Sequence, residues 1–366
     1  MIIGVPKETV AGEARVASTP EIVKKLVKKG FEVIVEQEAG LAASFTDAQY
    51  QDAGAKSVDA QTAFGADIVI KVRKPSPTEI SMIRQGSVLI CLIEVCEDDG
   101  TIKGLLERNI RPIALERIPR ISRAQSMDAL SSQSNIAGYR AVIEAAACYG
   151  RFLPLMMTSA GSAKPARAVV LGAGVAGLQA IATARRLGAD VYAYDIRPET
   201  KEQIESLGAK AIELDVGESG SGEGGYAKEL SDEAKARQQQ LLADELAKAH
   251  VIITTAMIPC RPAPVLIAEQ VVERMREGSV IVDLAAATGG NCPLTEAGRI
   301  VVKHGVIIIG HTNYPAMMPS DASAFYAKNI ANLLDIMLDR SGDAIALKDL
   351  DEDEITRSAQ LRAPDA

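Results

Sequence analysis

Short apolar runs alternate with amphipathic stretches through the first third of the chain. The runs predict strands at residues 1–6, 32–36, 56–58, 68–72, 88–93 and 111–114, and the stretches between them predict helices at 20–29, 48–53 and 100–108. This alternation is typical of a parallel sheet with helices on both faces, because each crossover between parallel strands needs a helix-length connection. This region of the chain is therefore predicted to be an α/β domain.

A second alternating region begins near residue 167. Its apolar runs predict strands at 168–171, 190–194, 210–214, 251–254, 279–284 and 306–309, and apolar-rich stretches at 131–152 and 320–338 predict long connecting helices. We therefore predict an α/β fold of two Rossmann-like, doubly wound parallel-sheet domains. Residues 1–130 with 320–366 form the discontinuous first domain, and residues 131–319 form the second. The charged tail 349–366 is expected to be frayed or peripheral.

The second region opens with a glycine-rich turn. The sequence from Ala168 reads AVVLGAGVAG, which places Gly172, Gly174 and Gly177 between a buried strand and a helix. Glycine here permits a tight turn, close approach of the backbone to a pyrophosphate, and close packing of the helix on the strand. The helix that begins near Val175 directs its positive end at the phosphates. The turn therefore predicts binding of a dinucleotide.

Asp195 follows the next predicted strand, 23 residues after Gly172. A carboxylate at this distance can accept hydrogen bonds from both hydroxyls of the ribose and would repel a 2′-phosphate, which favours NAD(H) over NADP(H). Arg197 leaves the other cofactor open, because a guanidinium at that position could bind the phosphate.

Composition and charge narrow the classes of function. The chain has 366 residues and a formal net charge of −8 at pH 7, which disfavours nucleic acid as a partner. It contains no uncharged apolar run of about 18 residues, so no membrane-spanning helix is predicted. The five cysteines and three histidines lack the spacing of metal ligands, so we expect no metal site.

A polar segment, residues 119–135, leads from the first predicted domain into the long helix. One interpretation is an N-cap, in which Asp128 or Ser131 satisfies free backbone N–H groups. The other is a site for the nicotinamide, because ligands of open parallel sheets bind beyond the carboxyl ends of the strands. Capping alone does not account for two arginines, two glutamines and an aspartate together.

The inventory of proton acceptors favours one type of hydride transfer. Oxidation of an alcohol or amino acid by NAD needs a proton acceptor beside the hydride donor, and the first domain has no histidine. His311 is the best-placed candidate, although a hinge residue bonded to backbone is an equal interpretation. Hydride transfer between two nicotinamides needs only alignment, close approach and exclusion of water. The polar segment suits that second reaction better.

Residues 215–226 are rich in glycine and serine, with several acids and a single aromatic residue, Tyr226. This composition is typical of a flexible loop in solvent, and equally of a lid that closes over a bound nucleotide.

The polar segment closely resembles the NAD(H)-binding component of proton-translocating NAD(P) transhydrogenases. It reads PRISRAQSMD from Pro119 to Asp128 and continues with LSSQSN and AGYR, and the similarity covers most of the chain. The resemblance implies an oxidoreductase that works as a homodimer, binds NAD(H), and is active only with a partner subunit that binds NADP(H). Hydride would pass directly between the two nicotinamides, and membrane-spanning subunits would couple that transfer to proton translocation.

The resemblance also implies roles for the matching residues. Those at the transfer site, holding the nicotinamide carboxamide and ribose, would be Arg120, Gln125, Asp128 and Ser131. Those that cradle the pyrophosphate and the adenosine ribose would be Gly172, Gly174, Val175, Ala176, Gly177, Asp195, Ile196 and Arg197. The mobile lid and the remaining lining of the cofactor would be Gly225, Tyr226, Gln238, Ala256 and Met257.

The related alanine dehydrogenases offer an alternative function, the NAD-dependent oxidation of an amino acid. That family would place an arginine, a lysine, a histidine and an aspartate around its substrate. Only Arg15 matches, and this chain has Arg73, Leu92 and Ala287 in the other three places. The departures at Leu92 and Ala287 also motivate a third hypothesis, a non-catalytic NAD(H)-binding subunit.

The end of the chain bears on its location. Some members of the transhydrogenase family carry membrane helices after this component, whereas this chain ends in a charged tail at Ala366. We therefore expect the membrane-embedded portion of the enzyme to be on separate polypeptides. This chain would be a cytoplasmic subunit, peripheral on the cytoplasmic face of the inner membrane and without direct membrane insertion.

Overall fold

The computed structural model describes residues 1–96, 100–215, 231–339 and 345–362. The chain forms two compact units, residues 1–134 with 315–366 and residues 135–314. Each unit contains one large sheet whose strands are connected by helices. The predicted α/β fold with parallel, doubly wound sheets is therefore confirmed.

The sheet of the first unit has six parallel strands in the order β3-β2-β1-β4-β5-β6. The strands are β1 (Ile2–Val5), β2 (Glu32–Glu36), β3 (Lys56–Val58), β4 (Ile68–Ile70), β5 (Val88–Cys91) and β6 (Arg111–Ala114). Side chains on both faces of the central strands are buried, which explains why these strands are continuous apolar runs. The strand order reverses between β1 and β4, as in dinucleotide-binding folds.

Five helices connect these strands: α1 (Pro20–Lys28), α2 (Asp47–Asp52), α3 (Ala60–Phe64), α4 (Pro77–Met82) and α5 (Thr101–Glu107). Helix α1 begins at a proline and buries one face through Ile22, Val23 and Leu26. Helices α3 and α4 were not predicted, because five or six residues are too few to show a helical period. The sequence signal for α4 is its capping box, Ser76 with Glu79.

Helix α6 (Ala129–Cys148) leads into the second unit, which has seven strands in its sheet. Its elements are β7 (Met156–Thr158), β8 (Gly161–Ala163), β9 (Arg167–Leu171), α7 (Val175–Arg186), β10 (Asp190–Tyr194), α8 (Thr200–Ser206), β11 (Lys210–Ala211), α9 (Asp232–Leu246), β12 (Val251–Thr254), α10 (Glu269–Arg274), β13 (Val280–Asp283), β14 (Ile300–Lys303) and β15 (Val306–Ile309). The strand order is β11-β10-β9-β12-β13-β15-β14, while β7 and β8 form a separate hairpin.

The edge strand β14 was not predicted and runs antiparallel to β15. Only His304 and Gly305 connect the two strands, and both adopt positive φ, 51° and 75°. A two-residue connection joins antiparallel strands, because a parallel pair would need a long crossover. The sheet is otherwise parallel.

The chain then returns to the first unit through α11 (Pro319–Met337), the short pair β16 (Leu338–Asp339) and β17 (Ala346–Leu347), and α12 (Glu354–Ala359). Leu350, Ile355, Ala359 and Leu361 are buried, and the Leu361 amide donates to the Pro112 carbonyl of β6. The prediction of a frayed or peripheral tail is therefore wrong for residues 350–362. The tail has few apolar residues, but Ile355 and Ala359 lie on one face of α12, and Leu350 and Leu361 on either side of the helix are buried as well.

Candidate dinucleotide site

The glycine-rich turn between β9 and α7 uses each glycine for a different reason. Gly172 has a φ of +96°, and a Cβ there would lie 2.4 Å from Thr255 Oγ1. A Cβ on Gly177 would lie 1.8 Å from the Gly172 carbonyl oxygen, so only glycine lets α7 begin against the strand. A Cβ on Gly174, which precedes α7, would have no atom within 4 Å. Gly174 therefore leaves open space beside the first free N–H groups of the helix.

Asp195 lies at the end of β10 and turns its carboxylate toward this turn. Its Oδ2 accepts a hydrogen bond of 2.7 Å from the Ala173 amide, and both oxygens accept from the Arg197 guanidinium at 2.9 Å. Burial alone would raise the pKa of Asp195, but the bonds from Arg197 and from backbone amides hold that pKa below its ordinary value. Asp195 is therefore ionised at neutral pH, and Arg197 is engaged with it.

Apolar side chains are exposed beside the turn. Val175 follows β9, Ile196 follows β10 and Met257 follows β12, and these side chains are 42%, 82% and 53% exposed. The three strands are adjacent and parallel, so their carboxyl ends meet at one edge of the sheet. Exposed apolar groups next to helix N–H groups and a carboxylate are what a dinucleotide needs, because its rings are apolar and its phosphates are charged.

The structure brings most of the predicted cofactor residues of the second unit together. Thr255 donates a hydrogen bond to the Leu171 carbonyl, which places the following residues, Ala256 and Met257, next to the glycine-rich turn. Ala176 is buried in the first turn of α7, and Gln238 is half-buried on α9. Gly225 and Tyr226 lie outside the described residues, as does the proposed lid from 216 onward.

The polar segment of the first unit forms a 3-10 helix, Ser122–Met127, followed directly by α6. The Asp128 carboxylate accepts hydrogen bonds from the Ser131 amide at 2.8 Å and from the Ser131 hydroxyl at 2.6 Å. The capping interpretation therefore accounts for Asp128 and Ser131. It does not account for Arg120 and Gln125, whose side chains are exposed.

Three residues that sequence reasoning did not identify hold this segment in place. Asn329 and Asn332 of α11 each donate a hydrogen bond of 2.9 Å to the Ser126 carbonyl. Asp353, at the start of α12, makes a two-point ion pair with Arg123, at 2.6 and 2.9 Å. These partners are more than 200 positions away from the segment, so no local pattern could indicate them.

Arg15, the one residue that matches the alanine dehydrogenase pattern, is hydrogen-bonded inside the protein. The Arg15 side chain is 3% exposed, and Glu13 accepts from two of its nitrogens at 2.7 and 2.6 Å. A third nitrogen donates to Gln133 at 2.8 Å. Arg73 pairs with Glu94 at 2.6 Å, and His311 lies 3.6 Å from Glu144. Arg15 is therefore committed to internal partners, whereas Arg73 and His311 each lie beside a carboxylate and stay partly exposed.

Comparison with known proteins agrees with this geometry. Residues 4–137 match the family model for the N-terminal domain of alanine dehydrogenase/PNT, and residues 141–359 match the model for its C-terminal domain. The chain is 52% identical to an NAD(P) transhydrogenase subunit alpha polypeptide of Rhodospirillum rubrum, over 96% of this chain and 94% of the relative. It is 47% identical to NAD(P) transhydrogenase subunit alpha of Haemophilus influenzae, over 92% of this chain and 66% of that longer relative.

Solved structures give the same relation. The transhydrogenase of Sinorhizobium meliloti superposes with a TM-score of 0.90 at 45% identity, and the alignment covers 99% of this chain and 98% of that one. An L-alanine dehydrogenase superposes with a TM-score of 0.80 at 27% identity, over 98% and 94% of the two chains. Similarity to transhydrogenase is thus higher in both sequence and structure.

Two glycine substitutions separate binding from folding at the turn. Gly174→Ala adds a methyl group to open space, so we expect thermal stability to change by about 1 kcal/mol or less, while NADH binding weakens at least tenfold. Gly177→Ala forces α7 away from the Gly172 carbonyl, so we expect about 1–3 kcal/mol of destabilisation as well as weaker binding. Thermal unfolding and NADH fluorescence titration measure the two effects. Full NADH affinity in Gly174→Ala would show that no ligand approaches this backbone.

Proposed function

This chain belongs to the alanine dehydrogenase/PNT family, and on that premise we propose that it is the NAD(H)-binding subunit of a proton-translocating NAD(P) transhydrogenase. In this function it presents NADH to NADP⁺ held by a partner subunit, and hydride passes directly from one nicotinamide to the other. Membrane-spanning subunits couple the transfer to proton translocation. The name of the Rhodospirillum rubrum relative, a subunit, supports the expectation of partners.

The ionised Asp195 beside the glycine-rich turn is the observation that carries the cofactor assignment. With NAD(H) bound, its oxygens would accept hydrogen bonds from the adenosine ribose, and its charge would oppose a 2′-phosphate. Arg197 is held by the same carboxylate, so binding a phosphate there would require it to leave a two-point ion pair. NAD(H) is therefore the cofactor proposed for this chain, and NADP(H) for the partner.

Direct hydride transfer fits the chemistry of the polar segment. Arg120 and Gln125 offer hydrogen-bond donors for a carboxamide, and neither needs to take up a proton. Asp128 and Ser131 fix each other at the start of α6 and would orient the same end of the cofactor. Oxidation of alanine is disfavoured, because the Arg15 guanidinium is already hydrogen-bonded to Glu13 and Gln133.

The proposed location follows from the proposed partners. Among the described residues, no helix combines the length and the hydrophobicity needed to cross a bilayer. We propose that the membrane-spanning portion of the enzyme is on other subunits. This chain would bind peripherally to them on the cytoplasmic face of the inner membrane.

The hairpin of β7 and β8 supports the proposed homodimer. Met157 is 77% exposed, and Phe152 and Leu155, which precede the hairpin, are each 56% exposed. Several exposed apolar side chains within one short segment are typical of a surface that another chain covers. A second copy of this chain is the occupant that the proposal requires.

Sedimentation equilibrium tests the dimer. We expect two copies at micromolar concentration and a dissociation constant about tenfold higher for Met157→Ser, because an apolar anchor is lost. Val302→Ser is the matched control, since Val302 is 64% exposed on the edge strand β14, which belongs to a different sheet from the hairpin. A monomeric wild-type chain, or equal effects of both substitutions, would contradict this arrangement.

The test of the proposed function is a transfer assay with a partner. The purified chain is mixed with a separately produced NADP(H)-binding subunit of a transhydrogenase, NADH, and an NADP⁺ analogue of shifted absorbance. We expect reduction of the analogue only when both proteins are present. Alanine with NAD⁺ and no partner serves as the control and should show no reaction. Alanine-dependent reduction of NAD⁺, or bound NADH without transfer, would favour the alternative dehydrogenase or a non-catalytic subunit.

The same assay tests the role of Arg120. Arg120→Ala is expected to slow transfer at least tenfold while the Kd for NADH stays within about threefold, because the lost contact matters for alignment at the reacting end. Arg117→Ala removes another exposed arginine of the same region and should leave both quantities unchanged. Equal losses of transfer rate and NADH affinity in Arg120→Ala would remove Arg120 from the transfer step.

A further inference from the structure

Asn291, which is fully buried, holds the loop that follows β12. Its Oδ1 accepts a hydrogen bond of 3.2 Å from the Ala256 amide, and its Nδ2 donates one of 2.8 Å to the Ala256 carbonyl. One side-chain amide thus forms hydrogen bonds with both the backbone N–H and the backbone carbonyl of Ala256. The orientation of this amide is determined by its partners, because a backbone N–H can only donate and a carbonyl can only accept.

The remaining capacity of the Asn291 amide is also used. Thr254 Oγ1 donates to Oδ1 at 2.6 Å, and Nδ2 makes a second bond of 2.8 Å to the Pro264 carbonyl. Two acceptor positions and two donors complete the hydrogen-bonding capacity of an amide. Loss of the side chain would leave partly buried backbone groups unpaired, and the loop would be free to move to satisfy them.

Asn291 is itself held by Asp283, at the end of β13. The buried Asp283 Oδ2 accepts from the backbone N–H of Asn291 at 2.8 Å and from Thr295 Oγ1 at 2.7 Å. Gly290 has a φ of +80°, and a Cβ there would lie 2.7 Å from that oxygen, so glycine is required beside the carboxylate. A chain of contacts therefore runs from β13 to the loop after β12.

The strand order indicates which half of a dinucleotide this loop meets. Strand β9 has β10, which ends at Asp195, on one side and β12 on the other. A dinucleotide lies across the point where such a strand order reverses, with its adenosine half toward the ribose-binding acid. The nicotinamide half then lies toward β12, where the half-buried Ala256 and the exposed Met257 follow the strand.

We propose that Asn291 is a positioning residue that sets the Ala256 loop against the nicotinamide half of the cofactor. The inference rests on the proposed binding of NAD(H). Asn291 touches no cofactor in this role and acts through the backbone of Ala256. It differs from Asp195, which serves the adenosine half.

Comparing the binding of NADH and of 5′-AMP by the full chain distinguishes the nicotinamide half of the cofactor from the adenosine half. We expect Asn291→Ala and Asn291→Asp to weaken NADH binding roughly tenfold, as for the loss of a buried hydrogen bond. The Kd for 5′-AMP should stay within about twofold, because the contacts of Asp195 remain. Thr295→Val is the matched control, since it disturbs the Asp283 network but leaves the four bonds of the Asn291 amide intact.

Each outcome decides the inference. Unchanged NADH affinity in the Asn291 variants, or equal weakening of NADH and 5′-AMP in folded variants, would overturn it. Equal loss of NADH affinity in Thr295→Val would show a structural effect only. If both Asn291 variants fail to fold, Thr254→Val, which removes one of the four bonds, must weaken NADH binding selectively for the inference to stand. A wild-type chain that binds 5′-AMP and NADH equally would also overturn it, whereas one that binds neither would overturn the proposed function.

Discussion

The second unit depends on a helix that begins in direct contact with the strand it follows. A Cβ on Gly177 would overlap the Gly172 carbonyl oxygen, so α7 can approach β9 only because residue 177 is glycine. This approach brings the first N–H groups of α7 to the edge of the sheet, and it brings the Ala173 amide within 2.7 Å of Asp195. The candidate site is therefore built largely from backbone, and its carboxylate is held by that backbone and by Arg197.

Much of the fold could be predicted because buried parallel strands are short continuous apolar runs. Strands 32–36, 190–194 and 251–254 have the predicted bounds. The edge strand β14 could not be predicted in this way, because Ile300 and Val302 are exposed and no buried face marks the strand. The prediction of a frayed or peripheral tail is wrong after Leu350, because its charged average composition conceals a few side chains that are buried.

The candidate site likewise has a part that the sequence predicts and a part that it does not. The glycine-rich turn and Asp195 are recognisable from the sequence because their spacing reflects one strand, one turn and one helix. The supports of the polar segment are not, because Asn329, Asn332 and Asp353 reach it from the other end of the chain. The hydrogen bonds between Asn291 and Ala256 join residues 35 positions apart in the sequence. They depend on β12 and β13 being neighbours, which only the sheet order establishes.

The placement of charges argues for a reaction without proton transfer by this chain. In the first unit, Lys71 lies 3.3 Å from both Glu8 and Glu79, all three buried, and Arg15 is enclosed by Glu13 and Gln133. A dehydrogenase of amino acids would need some of these groups open to substrate and able to exchange protons. Here they neutralise one another inside the fold, where an unpaired charge would be costly. Under the proposed function, Arg120 and Gln125, which are exposed on the polar segment, would align the nicotinamide as hydrogen-bond donors, and hydride transfer between two nicotinamides needs no proton acceptor.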